Sequence, residues 1–522
     1  MTFRSDLPDV RAVPAPVLPS FAWREVTAVA GVAGALFLAR LDRYQIGGDE
    51  LYFVAAGHRP SAGYADQGPL VPLLAGLADL LAPGSVVALR LPALACTVLA
   101  IVLSAVLARE FGGGRWPQTI AALAYATTPM AVMQSAMLST FALDITLTAT
   151  VVWLLIRWVR TRQDVLLVAA GAVAAVDFQV KWLIPIVWAG LAFGVLVFGP
   201  RGMLRAPAWW AGCGVLAVSA VPMLLWQHRN GWPQLPMGAV VREEQLATAG
   251  LLAMPWTMIQ VTGALGLLLL AGMWGGLRSA RFRPYRFLVP MIALGLGGVV
   301  LGGLRPYFVA GAFPGLFAAG AVYLTELGVT RRLRVLGGAL FAVATAICLA
   351  LVVAVPFPQS RLTTPTERYS QIHTRSVYFG PSGWRELVST VDAVRRGLPP
   401  ETRAGTVIVT QNYWQAAALE YFGAELGLPA VFSPNRGYGY FGAPPDSATT
   451  VLFLGVDGPD IGLDNGFRET APLARVDDEL GFPGVNRGVG VWLCREPVAP
   501  WSARWPGLRT LPLVDGTVRV TG

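Results

Sequence analysis

The chain is 522 residues long, 54% hydrophobic and only 14% charged, with 17 Trp and a mean hydropathy of +0.55. Those proportions exclude an ordinary soluble enzyme and describe a polytopic membrane protein. The net charge of +9 does not point to nucleic acid, because the arginines sit in short bursts between apolar runs rather than along one face.

Residues 1–22 carry Arg4, Arg11 and several prolines and read as a disordered cytoplasmic tail. Beyond them, apolar runs of about 20 residues recur, each enough to cross ~30 Å of hydrocarbon. In chain order they fall at 23–41, 86–108, 117–135, 137–158, 165–180, 182–198, 208–226, 254–277, 287–304, 307–327 and 335–355, which predicts about eleven transmembrane helices. The first run is too long for a removable leader and lacks a small-residue cleavage site, so it is expected to stay as an anchor. The connections at 135–137 and at Lys181 are tight, which leaves those pairs open to being broken or re-entrant.

Alternate loops collect arginines, among them Arg157, Arg160 and Arg162 in one and Arg331, Arg332 and Arg334 in another, and they share a side with the basic N-terminus. By the positive-inside rule that side is cytoplasmic, and an odd number of spans sends the C-terminus outside. The expected organisation is a transmembrane domain over 23–356 with a first extracytoplasmic loop at 42–85, followed by an extracytoplasmic α/β domain over 357–522. In that last region β-rich runs at 406–409, 430–432, 451–455 and 491–494 accompany a helical segment at 413–422. A multi-pass location in the cell membrane follows.

The first loop is the most informative stretch. Its sequence GGDELYFVAAGHRPSAGYADQGPLVP, residues 47–72, sets Asp49, Glu50, His58 and Asp66 just past the first apolar run. Charges are costly beside hydrocarbon, so such a cluster is a site hypothesis, with a solvated connector as the plain alternative. Residues 49–58 have the spacing of an interfacial helix, with Leu51, Phe53, Val54 and Ala55 meeting lipid or protein.

On the same side, Asp144 lies inside the fourth run, Asp177 and Lys181 close the fifth, and Arg305 stands between the ninth and tenth. Lys181 is the only lysine among 40 basic residues. A carboxylate at Asp49 suits proton removal from an acceptor hydroxyl or amine attacking a sugar carbon, while Lys181 and Arg305 suit a departing phosphate. Plainer readings exist for each: a four-residue helix ion pair for Asp177 and Lys181, a snorkelling anchor for Arg305, a surface residue for His58. No two histidines share a metal-ligand spacing, and Cys96, Cys213, Cys348 and Cys494 make neither a disulfide framework nor a zinc site. A divalent metal stays open as a cofactor.

Asp49-Glu50 followed by Tyr52, then Gly63-Tyr64, Asp66, Pro69-Leu70 and Arg90-Leu91-Pro92, resembles the bacterial branch of the dolichyl-phosphate-mannose–protein mannosyltransferases. That branch includes the lipid A aminoarabinose transferases and belongs to the C-type glycosyltransferase superfamily. Leu138-Ser139-Thr140 with Asp144, Lys181, Trp226 with Gly231-Trp232-Pro233, and Arg305-Pro306-Tyr307 extend the resemblance across the membrane part. It implies an extracytoplasmic active site, a polyprenyl-phosphate-linked sugar donor, a lipid, glycan or protein acceptor, and inverting transfer. On this reading Asp49 is the catalytic base and Glu50 its acidic neighbour, with Tyr52, His58, Asp66, Asp144, Lys181, Arg305 and Tyr307 around the substrates. Phe141 stands where many relatives carry an acidic or polar residue, and Gly68-Pro69 where many have two prolines, so sugar and acceptor are not carried over. The rival reading is a lipid or solute transporter or flippase, whose ionisable groups belong nearer the midplane.

Overall fold

The computed structural model describes residues 18–248, 254–328, 331–367, 369–456, 458–459 and 463–513. The predicted tail lies outside them up to residue 17, as do residues 514–522 of the expected α/β region.

A helix forms at every predicted apolar run. Helix α1 (Trp23–Leu38) leads into two short helices of the first loop, α2 (Gly48–Gly57) and α3 (Leu70–Leu81), and then α4 (Val86–Glu110). The third run is broken into α5 (Arg115–Ala126) and α6 (Pro129–Gln134). Pro129 has no N–H to continue the ladder, and the hydroxyls of Thr127 and Thr128 donate back to the carbonyls of Leu123 and Ala124. The fourth run starts later than predicted, as α7 (Thr140–Thr161), because the Ser139 hydroxyl caps it by accepting from the Ala142 N–H.

The remaining helices of this part are α8 (Val165–Phe178), α9 (Ile184–Phe198), α10 (Gly202–Arg205), α11 (Pro207–Arg229), α12 (Met237–Thr248), α13 (Met254–Thr262), α14 (Gly266–Arg278), α15 (Val289–Val300), α16 (Phe313–Glu326) and α17 (Arg331–Ala354). Among the described residues, six helices are long and apolar enough to cross a membrane: 86–110, 140–161, 207–229, 255–278, 306–326 and 335–354. The other predicted spans are shorter, with 16 residues in α1, 14 in α8 and 15 in α9.

The two ends of the bundle differ in character. One end is tied by arginines: Arg160 and Arg157 to Glu110, Arg115 to Glu25, and Arg281 to Glu326. The other end carries α2, α3 and α12 and receives the rest of the chain.

Past α17 come α18 (Tyr369–Phe379), α19 (Trp384–Gly397) and α20 (Pro400–Ala404), and then a five-stranded sheet. Its strands are β1 (Thr406–Thr410), β2 (Val431–Phe432), β3 (Thr450–Gly455), β4 (Phe467–Asp477) and β5 (Arg487–Pro497), in spatial order β2-β1-β3-β5-β4. Strands β2, β1 and β3 run parallel, with Ile408 opposite Val431 and Leu452, whereas β5 is antiparallel to both β3 and β4. Helix α21 (Tyr413–Gly423) connects β1 to β2, and α22 (Trp501–Leu508) follows β5. Strand β4 was not predicted: it is an edge strand, mostly exposed, and RETAPLARV lacks the apolar alternation that marks a half-buried strand.

This region and the first loop share one core. Leu51, Tyr52, Phe53, Val54 and Ala55 of α2 are buried in the same apolar cluster as Trp384, Tyr413 and Leu452. The apolar face of α2 therefore meets protein rather than lipid. Polar contacts reinforce the joint: Arg59 donates to both oxygens of Glu420 at 2.7 and 2.9 Å, and the Trp384 indole donates to the Ile46 carbonyl at 3.0 Å.

Candidate active site

Asp49 and Glu50 are neighbours in the first turn of α2 and point to different surroundings. Glu50 is 1% exposed and its carboxylate accepts from Arg90 Nε at 2.7 Å and Nη2 at 2.6 Å. It also accepts from the Leu138 N–H and the Gly47 N–H, both at 2.9 Å. Arg90 spends its remaining donors on the carbonyls of Leu41, Tyr44 and Gln45. Glu50 thus joins the starts of α2, α4 and α7, with both of its oxygens taken up by protein donors.

Asp49 is exposed, and one of its oxygens is held by residues more than 360 positions further along the chain. Tyr413 Oη donates to Asp49 Oδ1 at 2.8 Å and the Trp414 indole donates to the same oxygen at 2.9 Å. Among the described residues no hydrogen bond reaches Oδ2, so that oxygen faces open space with lone pairs to use. Burial first, and then the Asp49 carboxylate, push the Tyr413 phenol well above its ordinary pKa, so it remains a donor.

Next to Asp49 a polar group develops around Asp66. Tyr52 Oη donates to Asp66 Oδ1 at 3.2 Å, and the Tyr52 ring packs edge-on against Tyr413 with centroids 5.2 Å apart. Burial raises the pKa of Asp66, while Arg436 and Lys181 nearby pull it down. The loop carrying Asp66 is pinned beside Lys181 by backbone pairing: Gly68 N–H to the Val180 carbonyl at 3.1 Å, and Leu70 N–H to that of Gln179 at 2.9 Å. A Cβ on Gly68 would lie 2.0 Å from the Gln179 oxygen, so only glycine permits this approach.

Lys181 holds its ammonium over two aromatic faces, 4.4 Å from the Phe141 centroid and 5.3 Å from that of Phe308. The expected alternative of an ion pair with Asp177 is not what forms. Helix α8 ends at Phe178, and although the Lys181 N–H still reaches the Asp177 carbonyl at 3.0 Å, the two side chains do not meet. Asp177 instead accepts from Thr148 Oγ1 at 3.2 Å. Asp144, 4% exposed, lies near Lys181 with Oδ1 lacking a partner among the described residues.

Arg305 donates to Tyr307 Oη at 2.9 Å and to Glu244 Oε2 at 2.8 Å, and Tyr307 packs on Phe141 with ring centroids 3.7 Å apart. The structure therefore brings Asp49, Tyr52, Asp66, Asp144, Lys181, Arg305 and Tyr307 into one neighbourhood. It does not bring His58, which pairs with Asp79 at 2.8 Å at the end of α2 with half its side chain exposed. Sequence reasoning missed Tyr413, Trp414, Arg436 and Glu244. The one local signal was the capping box of Asn412 and Gln415, which marks the start of α21 but not what its first turn touches. Among the described residues no three His, Cys, Asp or Glu side chains gather as a metal site.

A family model described as dolichyl-phosphate-mannose-protein mannosyltransferase matches residues 66–226. Over that stretch, less than a third of its length, the chain is similar to this family. In overall fold the chain is similar to ArnT from Cupriavidus metallidurans bound to undecaprenyl phosphate, with a TM-score of 0.56 at 16% identity over 90% of this chain and 98% of that one. The apo state of the same ArnT gives 0.54 at 16% identity, over 91% and 98% of the two chains. At that identity the likeness shows the fold alone. No curated protein matches the chain by sequence.

Proposed function

We propose that this chain is an integral-membrane glycosyltransferase that moves a sugar from a polyprenyl-phosphate donor to an acceptor at the extracytoplasmic face of the cell membrane. The observation that carries the reading is Asp49: an exposed carboxylate with one oxygen fixed by Tyr413 and Trp414 and the other open, beside a cluster of cations. Fixing Oδ1 sets the direction of Oδ2, which takes the proton of an acceptor hydroxyl or amine as that group attacks the anomeric carbon. The C–O bond to phosphate breaks on the opposite face, giving inversion. A phosphate leaving group departs as an anion, so cations such as Lys181 and Arg305 replace a second acid.

Orientation belongs to the same reading. The arginine-tied end of the bundle is cytoplasmic by the positive-inside rule, and the sheet-bearing region lies outside. All eleven apolar helices or helix pairs then count as membrane elements, the shorter ones tilted or partly re-entrant.

The test is transfer of radiolabelled sugar from a polyprenyl-phosphate donor by purified protein in nanodiscs. Asp49→Asn keeps size and removes basicity, so turnover is expected to fall by about two to four orders of magnitude while polyprenyl phosphate still binds. Wild-type turnover in Asp49→Asn would remove the base. Lipid flipping without sugar transfer would favour the transporter.

A further inference from the structure

Glu244, on α12, is the anion at the centre of the two-arginine cluster. Its Oε2 accepts from Arg305, while its Oε1 accepts from Arg436 Nη2 and, at 3.0 Å, from the backbone N–H of Leu513. Both oxygens are therefore engaged, by two guanidinium groups and a main-chain amide from three separate parts of the chain. That donor set is the one that recognises a phosphate: planar guanidinium forks plus an N–H converging on a tetrahedral anion.

The cluster is built rather than incidental. Arg436 is 7% exposed and held with φ of +47°, a left-handed conformation that costs a non-glycine residue energy. Its N–H donates to the Thr510 carbonyl at 2.7 Å and its Nε to the Leu511 carbonyl at 3.0 Å. These bonds leave the two terminal nitrogens to face Tyr413 and Glu244. Arg436 is thereby joined, through Tyr413, to the oxygen of Asp49 that is fixed in place.

Charge decides what the site can accept. Asp49, Asp66, Asp144 and Glu244 surround Lys181, Arg305 and Arg436 within electrostatic reach. Both arginines already spend a terminal N–H on the Glu244 carboxylate. Entry of a phosphodiester anion requires another to leave, and Glu244 is the one that both arginines share.

We propose that Arg305, Arg436 and the Leu513 N–H form the phosphate site of the lipid donor, and that the Glu244 carboxylate occupies it until the donor arrives. This rests on the glycosyltransferase reading above and adds two things to it: a phosphate ligand from the C-terminal region, and an internal carboxylate that competes for the same donors.

The full chain in nanodiscs is titrated with undecaprenyl phosphate, and thermal stability is measured alongside. Glu244→Gln removes the competing charge and is expected to lower Kd about tenfold, the worth of one charge-assisted hydrogen bond. Arg436→Gln and Arg305→Gln are expected to raise it, and Glu243→Gln, an exposed neighbour on the same helix, to leave it unchanged. Should Glu244→Gln fail to fold, Glu244→Asp is read instead: one methylene shorter, it reaches a single arginine and is expected to tighten binding by a smaller factor. Unchanged or weaker binding in a folded Glu244 variant, with Arg305→Gln still weakened, overturns the competition while the donor reading stands. Failure of the wild type to bind undecaprenyl phosphate sinks both. An equal gain for inorganic phosphate assigns the site to free anions and overturns its assignment to the lipid.

Discussion

Glu50→Gln separates positioning from catalysis at the start of α2. The substitution keeps the volume and removes the charge that faces Arg90. Glu50 receives two bonds from Arg90, at 2.7 and 2.6 Å, and two from backbone N–H groups at 2.9 Å. A glutamine amide presents one oxygen, so its NH2 must face a donor, and Arg90, 1% exposed, is left without its counter-charge. Removing one partner of such a buried pair costs about 3–5 kcal/mol. Arg90 keeps its three carbonyl acceptors, which puts the expected loss near the lower figure, ~3 kcal/mol. Thermal unfolding of purified variants, with turnover per folded molecule measured below the transition, reads both effects. The expected outcome is a large loss of stability with turnover lowered by no more than about tenfold, since Asp49 keeps its own oxygen partners. Glu50→Gln combined with Arg90→Gln is expected to recover part of the stability. Unchanged stability in Glu50→Gln with turnover as low as in Asp49→Asn would refute the positioning role.

Trp414→Phe deletes one of the two donors to Asp49 Oδ1 and is expected to lower kcat by roughly tenfold with little change in donor Kd; a change in Kd alone would contradict the orienting role. Burial holds the Asp66 pKa above its ordinary 3.8, so its contribution to stability is fully present below that value and is lost as pH rises through the raised pKa. Asp66→Asn is therefore expected to flatten the fall in stability above pH ~4, as followed by unfolding at a series of pH values; an unaltered profile would dismiss it. Lys181→Met is expected to weaken donor binding, whereas Asp177→Asn is expected to leave it unchanged, because the two side chains are not paired. Equal effects in direct binding measurements would restore the ion-pair account.

Sequence patterning reached the parts of the fold whose rules are local. The helix predicted at 49–58 is α2, Gly48–Gly57, and each apolar run became helical because a helix satisfies its backbone groups within a single segment in hydrocarbon. Breaks within runs were harder to read, since Pro129 stops one helix while Pro92 is accommodated inside α4. The four-residue spacing of Asp177 and Lys181 misled because a spacing rule presumes that the helix continues, and α8 stops between them. The donors to Asp49 were invisible for another reason: Tyr413 is 364 positions away, and no periodicity in α21 says which helix its first turn will meet.

That separation sets the order in which the site can come into being during synthesis. Asp49 enters the membrane with the first helix, but its Tyr413 partner is made 364 residues later, roughly 20–70 s at ordinary elongation rates. Until then the carboxylate has neither of its orienting donors, and the apolar face of α2 has no sheet region to cover it. A chain stalled or cut before α21 holds the proposed base without the parts that aim it. Maturation of the site is thus a late event in the life of the nascent chain, and a premature stop before Tyr413 is expected to leave Asp49 without either donor.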